Sequence, residues 1–188
     1  MDYSAPRTLH LYYRDGHDRV EVTDADKSTV LYVCYRTSSK PHQTICRAAT
    51  HDKPETMVGQ VSFHHFKSDI DVRMPLNPGV AMRKTGWTSS AYEVTSPGAQ
   101  EGAAWTWKRD GAMTSNLKLV DARGAVLAAF DNASWSLKKQ GTLTVQDWMP
   151  PPALLDVMIV TGLARVEYQR RSQKAHNGAA IASASGRG

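Results

Sequence analysis

Between residues 20 and 145 the chain runs in short stretches where apolar or β-branched residues alternate with polar ones, each bounded by Gly, Pro, Asp or Asn. A period of two is the mark of strands with one buried face. Residues 20–23 and 29–36 flank Asp24-Ala25-Asp26-Lys27 as a first hairpin. In its second arm Leu31, Val33 and Tyr35 share one face, and Tyr32, Cys34 and Arg36 take the other. Further strands are predicted over 44–48 and 57–66, across the polar loop of residues 50–55, with a short edge over 68–72. The spacing then predicts strands over 91–95, 103–108, 117–121, 126–130, 135–138 and 142–145. Their connections are Ser96-Pro97-Gly98, Arg109-Asp110-Gly111, Ala122-Arg123-Gly124 and Lys139-Gln140-Gly141, sequences rich in turn formers. The result is a meander of about ten strands.

The period changes after the triple proline Pro150-Pro151-Pro152. Residues 153–168, ALLDVMIVTGLARVEY, form the one long apolar run, and they lead into a basic exit of Arg170, Arg171 and Lys174. On a helix Leu154, Leu155, Val157, Met158, Ile159, Val160, Leu163, Ala164 and Val166 occupy every side. Such a helix has to be buried on all faces rather than laid on a surface. The run falls short of the ~20 residues that span a bilayer, and Asp156 and Arg165 interrupt it, so a protein interior is predicted. A many-stranded antiparallel sheet followed by a helix apolar all round has one geometry that covers every face: a mainly β barrel closed around the helix. Residues 1–19 read as an N-terminal extension, 20–171 as one barrel domain with its helix over 153–168, and 172–188 as a tail. From Asn177 onward that tail is mostly Ala, Ser and Gly, and is expected to be disordered.

The segments Leu31-Tyr32-Val33, Thr44-Ile45-Cys46-Arg47, Trp105-Thr106-Trp107-Lys108, Leu117-Lys118-Leu119 and the run from Leu155 to Leu163, with Glu167 and Arg170-Arg171 beyond it, resemble a family of small fungal proteins. That family is similar in fold to the tubby C-terminal, LURP-one-like and phospholipid-scramblase barrels. The resemblance covers roughly residues 20–171. It implies a barrel with a central helix and, through the tubby proteins, a basic surface for phosphoinositides. No residue matches the tubby lipid site one to one.

A formal net charge of +5 over 188 residues favours anionic partners. Because acids and bases are interspersed, no segment reads as a nucleic-acid arm. The two cysteines, Cys34 and Cys46, are too few for a disulfide scaffold and lack zinc spacing, so free buried thiols are expected. The N-terminal residues contain no apolar stretch of signal-peptide length, and a cytoplasmic protein, peripheral to membranes where it meets lipid, is the expectation. No G-x-S-x-G elbow, Walker loop or G-x-G-x-x-G motif is present, which leans the reading away from an enzyme and offers no cofactor.

Three constellations remain. The basic pairs Arg83-Lys84, Lys108-Arg109 and Lys138-Lys139 fall at strand ends or turns, where a meander can bring them to one rim around a phosphorylated group. Trp105 and Trp107 share one strand face, as core or as an aromatic groove. With His64 and His65 they form the alternative, a pocket of an enzyme or small-ligand carrier. Adjacent strand residues point to opposite faces, so the two histidines do not chelate one ion, and no metal site is expected. The leading reading is a non-enzymatic cytosolic protein that binds an anionic lipid headgroup, phosphoinositide included, or a phosphorylated small molecule.

Overall fold

The computed structural model describes residues 5–64, 68–86, 89–95, 104–111, 114–133, 136, 138–146 and 150–185, with side chains described to residue 175. Twelve strands close into one barrel. They are β1 (Arg7–Arg14), β2 (Arg19–Thr23), β3 (Val30–Arg36), β4 (Gln43–Arg47), β5 (Thr56–Phe63) and β6 (Ile70–Arg73), then β7 (Ala81–Lys84), β8 (Tyr92–Thr95), β9 (Trp105–Arg109), β10 (Leu117–Val120), β11 (Val126–Asn132) and β12 (Lys139–Val145). Each pairs antiparallel with its sequence neighbours, and β1 pairs with β12 to complete the circuit. Closure leaves no sheet edge exposed.

The alternation read from the sequence selects the inner face. Tyr32 and Cys34 of β3, Ile45 of β4, Trp105 and Trp107 of β9, Leu117 and Leu119 of β10, and Leu143 and Val145 of β12 are all buried in one apolar cluster. The helix α1 (Pro152–Ser185) adds Val157, Met158, Ile159, Val160, Leu163 and Ala164 to that cluster, none more than 3% exposed. Burial of a side chain such as Ile159 contributes about 2 kcal/mol.

Polar residues show that the helix runs through the barrel. Asp156 meets Tyr32 of β3 and Arg47 of β4. Gln43 of β4 reaches the carbonyl of Leu163, and Trp107 of β9 donates to Thr161. Contacts with β3, β4 and β9 together come from widely separated parts of the wall. A buried polar group needs a partner, and these side chains find theirs only at one depth and rotation of the helix. They therefore set its register in the barrel.

Four sequence expectations are corrected. Residues 1–19 are not an extension: β1 lies there, with Leu9 and Leu11 inside the core. Its RTLHLYYR alternation is the same signal as elsewhere, and its pairing with both β2 and β12 makes it the closing strand. A strand at Ala81–Lys84 was missed because it offers only Met82 to the core. Lys139-Gln140-Gly141 is not a turn but the start of β12, while Ser136 and Lys138 precede that strand, and Trp135 and Leu137 lie outside the described residues. Gly141 is required by close packing: a Cβ there would sit 2.4 Å from Cζ of Phe130. Finally, the helix does not stop at Tyr168 but continues through the expected tail to Ser185.

Candidate anion site at the helix-exit end

The strand registers decide which residues share an end of the barrel. Arg14 pairs with Arg19, and Arg36 with Gln43, so these mark one end. Lys84 pairs with Tyr92, Arg109 with Leu117, and Lys139 with Tyr12, while the Lys138 carbonyl accepts from the amide of Tyr13. All three predicted basic pairs thus arrive at the same end. The helix enters from the other end, where Asp156 meets Arg47, and reaches this one with Arg165, Glu167, Arg170 and Arg171.

Alternation along the strands splits each pair. Lys84 stands two residues beyond the buried Met82, and Arg109 two beyond the buried Trp107, so both continue the inward face at the mouth. Lys139 lines a cleft beside the helix. Their companions turn outward. Arg83 is registered opposite Glu93 and Lys108 opposite Lys118, and Lys138 is exposed.

The helix adds cations that the strand-end reading left out. Glu167, fully buried, is shared among Arg36 at 3.3 Å, Arg170 at 2.8 Å and Arg171 at 2.9 Å. Burial pushes its carboxyl up, but Arg170, Arg36 and Arg171 outweigh that and hold it below the usual carboxylate range. One acid thus serves three guanidinium groups. Arg165, 3% exposed, has no carboxylate partner among the described residues. It donates to the carbonyl of Ser90 at 2.8 Å and lies over the rings of Tyr92 and Tyr168 at 5.0 and 5.9 Å. Its Nε has no hydrogen-bond partner. Burial lowers the pKa of the guanidinium; Tyr92 opposes that and the nearby Arg109 adds to it. The signal in the sequence was Arg165 itself, a cation set inside the apolar run.

At the opposite end two of the cations carry acid partners. Arg7 pairs with Asp24, and Arg47 with Asp156 at 2.6 Å.

The tryptophan–histidine pocket is not assembled. Trp105 and Trp107 are 6% and 0% exposed in the core, and the Trp107 Nε1 donates to Thr161 Oγ1 at 3.0 Å. His64 lies on the outer wall, its Nε2 2.8 Å from Asp71 and its Nδ1 3.4 Å from the Lys40 ammonium. His65 lies outside the described residues, as do Trp87, Trp135 and Trp148. Cys34 faces the core, where burial pushes its thiol up to about 12, and Cys46 is on the alternate, outer face. His42 Nδ1 accepts from the amide of Phe63 at 3.0 Å. Among the described residues, no group of three metal-ligating side chains comes together. Nor, among them, is any helix long and apolar enough to cross a membrane.

No family model matches the chain, and no curated protein matches its sequence. A crystal structure of a protein from Arabidopsis thaliana is similar at 10% identity, over 87% of this chain and 90% of that one, with a TM-score of 0.33.

Proposed function

We propose that this is a non-enzymatic cytosolic protein that binds an anionic, phosphorylated ligand at the helix-exit end of its barrel, with a phosphoinositide headgroup as the leading candidate. The observation that carries the reading is Arg165: a buried cation that has, among the described residues, neither a carboxylate partner nor a hydrogen bond from its Nε, with Arg109 close by at the inward-facing mouth. A buried charge is costly unless it is paired. A guanidinium that has no ion pair among the described residues is stabilised by an oxyanion, and Arg is suited to planar, bidentate recognition of phosphate. Lys84 and Lys139, on the inner side of the same rim, extend the positive field. The tubby-like resemblance adds a membrane headgroup as the source of that phosphate.

Liposomes carrying phosphoinositide test the reading. They should retain the protein at low salt and release it as ionic strength rises, because exposed charges are screened over ~10 Å at 0.1 M. Charge reversal at Lys108 and Arg109 should weaken retention by about tenfold or more. Reversal of Arg123 and Lys53, at the opposite end, should leave it unchanged. Equal losses from both ends would mean diffuse attraction without a site, and absence of retention on phosphoinositide would remove the lipid from the proposal.

A further inference from the structure

Beside the helix at the same end is a cleft of about 220 Å³, bounded by the helix on one side and by β10 to β12 on the other. Phe130 and Leu117 give it an apolar wall, and Gln140 and Gln169 are among the residues that line it. Gln140 is 3% exposed, yet neither its Oε1 nor its Nε2 has a hydrogen-bond partner among the described residues. Gln169 is 8% exposed; its Nε2 donates to the Ser115 carbonyl at 3.1 Å, but its Oε1 is also without a partner.

Two amides in one cleft, with three unused polar atoms between them, are unusual in a folded interior, where the large majority of buried polar atoms are bonded. Leaving each unpaired costs about 1–3 kcal/mol, so a purely structural role would be served better by leucine. The unused set contains two acceptors and one amino donor group. Hydroxyl groups, each both donor and acceptor, match such a set. Cations flank it from two separate elements: Lys139 has no ion-pair partner among the described residues, and Arg170 commits Nε and Nη2 to Glu167 while leaving Nη1 available.

We infer that this cleft binds a small phosphorylated polyol of the sugar-phosphate class, its hydroxyls on Gln140 and Gln169 and its phosphate between Lys139 and Arg170. The volume supports a small molecule: it is roughly seven times the ~30 Å³ a water occupies, and below the range of drug-sized pockets. The cleft shares Lys139 with the rim, but Arg109 does not line it, so a variant at Arg109 distinguishes the two.

The test is titration of the ¹⁵N-labelled protein with ribose 5-phosphate, glucose 6-phosphate and glycerol 3-phosphate, following the side-chain amide signals of Gln140 and Gln169. At least one should move both signals in a saturable way, with a dissociation constant of about 1 mM or tighter. Gln140→Leu should weaken that binding by about tenfold while leaving the Tm unchanged or raised, because it removes two unpartnered buried atoms. Gln169→Leu gives a second, independent variant. Arg109→Glu, which weakens retention on phosphoinositide, should leave the titration unaltered, which separates this site from the rim. The inference is overturned if none of the three esters moves the two amides at about 10 mM, ten times that limit. It is equally overturned if inorganic phosphate reproduces the shifts and Gln140→Leu leaves the affinity intact, which would mean an adventitious ion only.

Discussion

Gly59 of β5 lies directly against Val160 of the helix: a Cβ built on Gly59 would stand 2.8 Å from one γ-methyl of Val160 and 2.9 Å from the other. The contact is possible only because the wall at this point has no side chain. Val160 is fully buried, and no solvent-facing rotamer relieves the clash.

Gly59→Ala should therefore destabilise the protein by about 1–3 kcal/mol, the usual effect of overpacking. Val160→Ala removes both methyls and should cost a similar amount through the cavity it leaves. In the double variant the new methyl fills that space, so it should be more stable than the sum of the single effects. Denaturant unfolding of the four proteins measures this. Strict additivity would mean that the helix does not pass this close to β5.

The position of the helix was legible in the sequence because its burial is a one-dimensional signal: apolar residues on every side of a helix can be satisfied only by surrounding walls. Strands such as β3 and β9 were legible from their two inward residues, whereas β1, with Leu9 and Leu11 inside, carried the same signal and was read as an extension. What the sequence hid was set by three-dimensional closeness. Gly141 reads as a turn glycine, and only the ring of Phe130 pressed against it reveals a strand glycine. The rim was half legible: the pairs Arg83-Lys84, Lys108-Arg109 and Lys138-Lys139 stood out, but which member faces the mouth follows from register. Gln140 and Gln169 carried no signal, because an amide becomes unusual only when it is buried without a partner.

The cluster around Glu167 should make the fold sensitive to acid. Burial raises its carboxyl, but Arg170, Arg36 and Arg171 prevail and leave it below the usual range; Asp24 is lowered chiefly by Arg7. Glu21 moves the same way, with Arg19 and Arg14 outweighing its burial. A lowered native pKa means that the unfolded chain binds more protons in the interval between the two values, so stability there rises with pH. The contribution is complete above the unfolded value, about 4.3 for Glu and 3.9 for Asp, and is lost as pH falls through the native values. Tm should decline gently as pH falls below about 6.5, where burial keeps the His10 imidazole from taking the proton it takes in the unfolded chain, and fall increasingly below about pH 4.5. Glu167→Gln should lower stability at pH 7 by about 3 kcal/mol, since it leaves the buried Arg36 without its counter-charge, and should flatten the acid limb. A variant with unaltered acid slope would move the pH dependence away from this carboxylate.

Helix α1 continues well beyond the last wall contact. Gln169 still reaches Ser115, but the consecutive residues Gln173, Lys174 and Ala175 are all exposed, which is the condition of a helix that has left its barrel. At 1.5 Å per residue the remainder of the helix to Ser185 projects roughly 15 Å further. A segment of that length adds helical hydrogen bonds but depends for its helicity on the anchored part, because short helices are marginal in water. Deletion of residues 177–188 should reduce the far-ultraviolet helix signal while leaving the Tm within about 3 °C, near 1 kcal/mol for a chain of this size. A larger loss of Tm would show that the distal helix packs on the barrel, and an unchanged helix signal would show that it is not helical in solution.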